Sequence, residues 1–525
     1  MKKDYIFILL LAVFFCAVYA FAFDSKLDLN GDNANYLRYA QNIVKGDGYS
    51  TTTVNGLVAA SQYPPAYSTF LAFFMFFGIH SLVFFKILNG ILFFTSLALL
   101  FYMLRKLTDN VSLAFAATLL PVFSPQLQHF SNIVMSEMLF LFFSVFCFFA
   151  FYQYRQKSKP CFWKSPWFYV IILSATGAYY TRTVGMALIL SVIVFFLFRK
   201  EWKQAVFSFL GIVLLNIPWS IRNAAHDIES RYFGTIMTVN PWRPESGTIS
   251  TFGELVEKMI DNFDETVIKG FKEILFPFLQ IDYGVPSGFW AVIGGILIVA
   301  VVFYGVWNLK TLRWAMIAYL VGQIGLFMLW HGGNGTRYVV PVAPFIFVGF
   351  YVGVYYLLST VFKKWIIKKE NNFTNHLAYA FLFLLFAMWT PLKTQAENAK
   401  FPYPQAYNNY FAIAKEMQKQ LPEGKICCCR KPELFNYYAP SIIATNYKYA
   451  TDTEELIRDL IEKRVDFVIL EQLGYGSTSR YLYPAIQQYP ELFPVLWHLQ
   501  NPDTYLLKFE REKAEAEFLR EEKEG

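Results

Sequence analysis

Residues 2–40 read KKDYIFILLLAVFFCAVYAFAFDSKLDLNGDNANYLRYA. Two lysines open the stretch, an apolar run follows at 5–23, and an acid-bearing segment comes directly after it. A spanning helix needs about 20 apolar residues, and cations collect at the cytoplasmic ends of such helices. The stretch therefore predicts a first membrane helix with a cytoplasmic N-terminus and residue 24 onward outside. Lys2, Lys3, the apolar run and Ala20-Phe21-Ala22 also resemble a cleavable signal peptide. The length of the run favours an uncleaved helix, and either reading leaves residue 24 on the same side.

The rest of the chain repeats this pattern. Of its 525 residues 55% are hydrophobic and only 16% charged, against about a quarter charged in soluble proteins. Apolar runs predict about eleven spans, near 5–23, 82–104, 111–127, 134–154, 166–181, 184–198, 204–220, 288–308, 312–330, 338–360 and 375–392. The apolar stretch 66–78 is read as interfacial. The cation clusters Lys2/Lys3, Arg105/Lys106, Arg155 to Lys164, Arg199/Lys200/Lys203, Lys310/Arg313 and Lys363 to Lys369 then fall on one side, which the positive-inside rule makes the cytoplasm. The net charge of +7 is accounted for by these anchors, which argues against a nucleic-acid partner. The sequence motifs Asn110-Val111-Ser112 and Asn372-Phe373-Thr374 fall in predicted cytoplasmic turns and are discounted as glycosylation acceptors.

Three large pieces face outward on this map: loop 24–81, loop 221–287 with Asp227, Glu229, Glu245, Asp261, Asp264 and Glu265, and everything after about 393. Residues 1–392 form the predicted transmembrane domain. Residues 393–525 are predicted to be an extracytoplasmic α/β domain, with helices at 405–421, 453–463 and 478–488. Its strands are placed at 425–429, 441–445, 465–471 and 504–509, in a mostly parallel sheet. The charged tail 511–525 reads as a frayed helix or disorder. Cys427, Cys428 and Cys429 are adjacent on a strand and make poor mutual disulfide partners. No Cys or His spacing indicates zinc.

Asp32 precedes a helix predicted from about Asn33 to Val44. It is a candidate N-cap and equally a candidate general base or metal ligand at the membrane surface. Glu137 sits just inside an apolar run, where a carboxylate is costly and is usually paired or functional. Arg182 and Arg337 lie on the predicted outer side, against the cation bias. Their guanidinium forks suit phosphate oxygens, and interfacial snorkelling is the plainer alternative. Aromatic residues such as Tyr63, Tyr67, Trp219, Trp242 and Trp330 fall near predicted interfaces, as belt anchors or sugar-stacking faces. His331, in a glycine-rich loop, is read as an ordinary loop histidine or a ligand for a sugar or metal.

These motifs, taken in order, resemble a family. An acid just outside the first helix with Tyr36 and Ala40 following, Gly46-Asp47-Gly48-Tyr49, and Tyr63-Pro64-Pro65 are similar to the polytopic GT-C glycosyltransferases. The nearest group is the bacterial protein mannosyltransferase-like branch that includes the lipid A aminoarabinose transferases. Thr181-Arg182-Thr183-Val184-Gly185, Pro218-Trp219-Ser220-Ile221-Arg222-Asn223 and Gly335-Thr336-Arg337-Tyr338 extend the resemblance over roughly 1–390. It implies inverting transfer of a sugar from a polyprenyl-phosphate carrier to a glycolipid, glycan or protein acceptor, on the outer face of the cytoplasmic membrane. On that reading Asp32 and Glu137 are the catalytic candidates. Arg182, Arg337 and Arg222 are the phosphate-binding candidates, and Tyr36, Tyr63, Pro64 and His331 line the substrate site. No cofactor is specified, and a divalent cation is left open. Two other classes compete, a secondary transporter or flippase of lipid-linked sugars and a surface-polysaccharide polymerase or ligase. The spans carry almost no internal charge and no visible repeat, which counts against a transporter.

Overall fold

The computed structural model describes residues 2–157, 161–228, 231–330, 335–365 and 377–518. It is a multi-pass helical membrane protein. Among the described residues eight helices are long and apolar enough to cross a bilayer: Asp4–Phe21, Leu82–Thr108, Glu137–Gln156, Trp202–Ala225, Phe289–Trp307, Lys310–Leu329, Val340–Val361 and one within Leu377–Gln420. The helices Pro166–Thr181 and Thr183–Leu197 occupy two further predicted spans but are shorter.

The predicted span 111–127 is broken. The segments Val111–Phe123 and Pro125–Ser131 meet at a 67° bend. Pro121 and Pro125 each remove a backbone donor there, and Ser124 caps the second piece by accepting from the Leu127 N–H at 3.4 Å. The next helix begins at Glu137, three residues later than its apolar run suggests, because 132–136 form an irregular link. Residues 66–78, read as interfacial, contain the helix Ala66–Phe76.

Ion pairs and hydrogen bonds set the helix ends. Arg105 pairs with Asp4 at 3.0 Å, which brings the start of the first helix to the end of Leu82–Thr108. At the opposite ends, the Tyr19 hydroxyl donates to the Lys86 carbonyl at 2.8 Å. Lys86 donates to the Asp24 carbonyl at 2.6 Å, which ties down the start of the first loop. Small residues close the helix pair Phe289–Trp307 and Ala343–Trp365. A Cβ on Gly305 would overlap the Gly349 carbonyl, so the two backbones touch directly, as small residues permit in membranes.

The loop after the first helix folds into the helix Asp32–Lys45, a hairpin of β1 (Ser50–Thr53) and β2 (Gly56–Ala59), and the helix Ala66–Phe76. The C-terminal unit carries a five-stranded sheet of β3 (Ile426–Cys428), β4 (Ile443–Thr445), β5 (Phe467–Leu470), β6 (Val495–Leu499) and β7 (Thr504–Lys508). Its order is β4-β3-β5-β7-β6. β3 runs parallel to β4 and β5, while β7 runs antiparallel to β5 and β6. The sheet is thus mixed, because β6 adds an edge hairpin where the sequence reading placed no strand. The tail is helical over Arg511–Phe518.

The first loop and the C-terminal unit share one core. Tyr36, Leu37, Tyr67 and Leu71 of the first loop pack with Tyr410, Phe411, Leu434 and Phe435 of the C-terminal unit. The site described next lies where they meet.

Candidate active site

Asp32 is not an N-cap. The helix Asp32–Lys45 starts at Asp32 itself, and its cap is Gly31, which has no side chain to offer. Gly31 has φ +100°, a conformation open to glycine and strained for L side chains. Asp32 thereby keeps its carboxylate free of the backbone. Oδ1 accepts from the Tyr63 hydroxyl at 2.7 Å, and Oδ2 pairs with Arg337 Nη2.

Arg337 comes from the turn Gly335–Tyr338 before the Val340–Val361 span. The Gly335 N–H of that turn donates to Glu265 at 3.2 Å. Glu265 belongs to a wide π-helical turn, Asp264–Lys269, a feature that recurs at functional sites. Lys269 steadies this turn through Asp264 at 3.1 Å.

Glu137 lies behind the pair and is 0% exposed. It stands in the first turn of its helix, where the dipole favours an anion. Its Oε1 lies 2.7 Å from Arg182 Nη1 and 3.7 Å from Arg337 Nε. Arg182 also donates to Ser136 Oγ at 3.2 Å, which in turn accepts from the Tyr36 hydroxyl at 3.1 Å. The result is an alternating chain: Asp32, Arg337, Glu137, Arg182. Burial works against the charge on Arg337, but Asp32 and then Glu137 outweigh it and hold its pKa above the ordinary arginine value. Burial and then the Asp32 charge push the Tyr63 phenol upward, so it stays a proton donor. Glu137 Oε2 and Arg337 Nε are buried without a hydrogen-bond partner among the described residues. Such orphaned atoms are uncommon in a buried network.

A groove of about 440 Å³ is lined by Phe70, Phe73, Leu139, Phe143 and Tyr180 among others. Leu139 is two residues from Glu137 and Tyr180 two from Arg182, so part of its wall is carried by the elements that bear those charges. Phe73 is 60% exposed and opens it outward.

The structure unites Asp32, Glu137, Arg182, Arg337, Tyr36 and Tyr63. Tyr36 is 4% exposed, and its ring stands 4.6 Å from that of Tyr63, so it supports Tyr63 and Ser136 rather than facing open space. Pro64 lies next to the cluster, and its carbonyl accepts from the Tyr49 hydroxyl at 3.4 Å. Arg222 stands apart from the cluster. Its guanidinium donates to the Tyr49 carbonyl at 2.7 Å and lies 4.7 Å from the Trp219 ring, a contact that fixes the hairpin to the Trp202–Ala225 helix end. His331 lies outside the described residues. His129 lies 3.9 Å from Asp28, away from these contacts. Among the described residues no three His, Cys, Asp or Glu side chains gather as a metal site would require. Both carboxylates of the cluster face guanidinium groups. Glu265 appeared in the sequence only as one loop acid among several, and its role in holding the Arg337 turn carries no local signal.

Residues 5–231 match the family described as dolichyl-phosphate-mannose-protein mannosyltransferase. The structure is similar to the Archaeoglobus fulgidus oligosaccharyltransferase tethered with an acceptor peptide, with TM-score 0.61 and 13% identity over 98% of this chain and 74% of that one. It is also similar to ArnT from Cupriavidus metallidurans bound to undecaprenyl phosphate, with TM-score 0.58 and 12% identity over 95% of this chain and 97% of that one. A third likeness is to the A. fulgidus oligosaccharyltransferase AglB in complex with an inhibitory peptide and a dolichol-phosphate, with TM-score 0.58 and 12% identity over 96% and 74%. The chain has the fold of the GT-C glycosyltransferases. No curated protein sequence matches it. Within the GT-C fold, the family match covers Asp32, Glu137, Arg182 and Arg222, while Arg337 and the C-terminal unit lie beyond it.

Removing one partner of a buried pair costs about 3–5 kcal/mol, because the other charge is left uncompensated. Arg182→Ala should therefore lower the thermal unfolding temperature of the purified protein sharply. Adding Glu137→Gln should recover most of that loss. A double variant no more stable than the single one would show that Glu137 does not depend on Arg182.

Proposed function

We propose that this chain transfers a sugar from a polyprenyl-phosphate carrier to a hydroxyl acceptor, with inversion, on the outer face of the cytoplasmic membrane. The carrying observation is the chain of Asp32, Arg337, Glu137 and Arg182, with an apolar groove on the helices that bear Glu137 and lead into Arg182. A lipid-phosphate donor has an apolar tail and an anionic head, and the groove and the two arginines suit those parts in turn. The lipid phosphates bound in ArnT and AglB and the family match support this donor class.

The chemistry follows from the contacts. Asp32 takes the proton of the acceptor hydroxyl as general base. The acceptor oxygen forms a bond to the anomeric carbon from the face opposite the phosphate. The bond between that carbon and the phosphate oxygen breaks, and the phosphate leaves with the electron pair. Arg337 and Arg182 stabilise the charge that develops on it. Glu137 holds both guanidinium groups in place. Without donor, Asp32 is committed to Arg337, so the donor phosphate must draw Arg337 away before Asp32 can serve as a base. The resting ion pair thus protects the site until the donor arrives.

The outward orientation rests on the one-sided cation clusters of the sequence. Asp4 and Arg105 meet at one helix end, while Asp32 and the C-terminal unit lie at the other. A topology reporter fused after Lys400 should be active only outside the cytoplasm, and cytoplasmic activity would overturn the orientation. Asp32→Asn should insert normally and lose sugar transfer by at least about 100-fold, the lower end of what a general base supplies. The assay is mass analysis of envelope glycans in a deletion strain carrying the variant. Retention of the wild-type sugar addition would remove Asp32 from the chemistry.

A further inference from the structure

Three motifs of the sequence take no part in the transfer steps above: Gly46-Asp47-Gly48-Tyr49, Tyr63-Pro64-Pro65 and Trp219-Ser220-Ile221-Arg222-Asn223. The fold joins them in series. Gly46, at φ +91°, ends the helix Asp32–Lys45 in the left-handed conformation that glycine favours at helix ends. The chain then turns back and sets the Tyr49 ring 5.3 Å from that of Tyr39, on the same helix.

The series starts at the end of the Trp202–Ala225 helix. The Arg222 guanidinium lies 4.7 Å from the Trp219 ring, and its Nη1 donates to Asn223 Oδ1 at 2.9 Å. Its Nη2 donates to the Tyr49 carbonyl at 2.7 Å, which also accepts from the Ala60 N–H at 3.0 Å. The Tyr49 hydroxyl donates in turn to the Tyr63 carbonyl at 2.9 Å, with the Pro64 carbonyl at 3.4 Å. Burial, then Tyr39 and Tyr36, push the Tyr49 phenol upward, so it remains a donor. Tyr63 and Pro64 each precede a proline, which confines them to extended conformations and stiffens the segment. The Tyr63 ring stands 4.6 Å from Tyr36 and 6.1 Å from Tyr39. Its hydroxyl ends the series on Asp32 Oδ1 at 2.7 Å.

The two oxygens of Asp32 therefore have different keepers. Oδ2 faces Arg337, the partner that the donor phosphate draws away in the mechanism above. Oδ1 faces Tyr63, which nothing in that mechanism displaces. The terminal torsion of an aspartate is soft, so a carboxylate freed at both oxygens would swing, and a misplacement of about 1 Å costs on the order of 100-fold in rate. We propose that Arg222, Tyr49 and Tyr63 are positioning residues that act in series to hold Oδ1, so that Oδ2 points at the acceptor hydroxyl once Arg337 has left. This rests on the transferase reading above and assigns what orients its base.

The test uses membranes of a deletion strain carrying each full-length variant, fed rising amounts of lipid extract from that deletion strain as donor. Product is the sugar mass added to envelope glycans, and rates are taken per amount of folded protein. Tyr63→Phe is expected to lower the saturating rate at least about tenfold and to leave the half-saturating amount of extract within about twofold. Tyr49→Phe keeps the ring and removes one oxygen. It should lower the rate at least about threefold at the same half-saturation, and Arg222→Gln should do likewise. The double variant Tyr49→Phe/Tyr63→Phe should stay within about twofold of Tyr63→Phe alone, because contacts in series do not add. Two merely structural contacts would instead multiply their losses. Multiplied losses, a raised half-saturating amount at an unchanged rate, a full rate in Tyr49→Phe, or a Tyr49→Phe protein that does not fold would each overturn the proposal. If Arg222→Gln does not fold, Tyr49→Phe and the double variant decide. A deletion strain that lacks no sugar would sink the transferase reading as well. A missing sugar restored at full rate by Tyr49→Phe would sink the positioning role alone.

Discussion

A single buried carboxylate, Glu137, organises the site. An ion with no water around it must be paired or it costs several kcal/mol, and Glu137 stands at a helix start that favours its charge. Arg182 reaches it from the turn between two helices and Arg337 from a turn far later in the chain. Arg337 then reaches on to Asp32. Distant stretches of sequence are thus fastened at one point, and the membrane helices behind them need only supply rigid supports. Where an exposed ion pair would be worth little, this one is shielded and its geometry is correspondingly demanding.

The same contacts explain how a stable arrangement can be reactive. Asp32 and Arg337 neutralise each other at rest, while Glu137 Oε2 and Arg337 Nε have no hydrogen-bond partner among the described residues. A phosphate competes well for a guanidinium because it offers several charged oxygens to the same fork. On the proposed mechanism, exchange of one anion for another on Arg337 would change Asp32 from a salt-bridge partner into a base.

Much of this was legible in the sequence, and the reasons differ by feature. Spans were visible because lipid demands long apolar runs; Glu137 stood out inside an apolar run, Arg182 and Arg337 against the cation bias, and Asp32 by its place before a predicted helix just outside the first span. The break falls at Pro121 and Pro125, inside a run that its overall hydrophobicity assigns to one span. Arg222 looked like its fellow arginines, and only the fold shows it spent on Tyr49 and Trp219. Glu265 acts through a backbone turn 70 residues away, so nothing near it in sequence announces a role. Asp32 was open to an ordinary capping role until the helix start at Asp32, with Gly31 before it, removed that option.

The exchange at Arg337 is the central claim, and a structure of this chain with undecaprenyl phosphate tests it most directly. The account predicts the phosphate in contact with the Arg337 and Arg182 guanidinium groups, the prenyl chain in the groove beside Phe70 and Phe143, and Asp32 Oδ2 released from Arg337. A bound phosphate with the Asp32 to Arg337 pair intact and no contact to either arginine would contradict it.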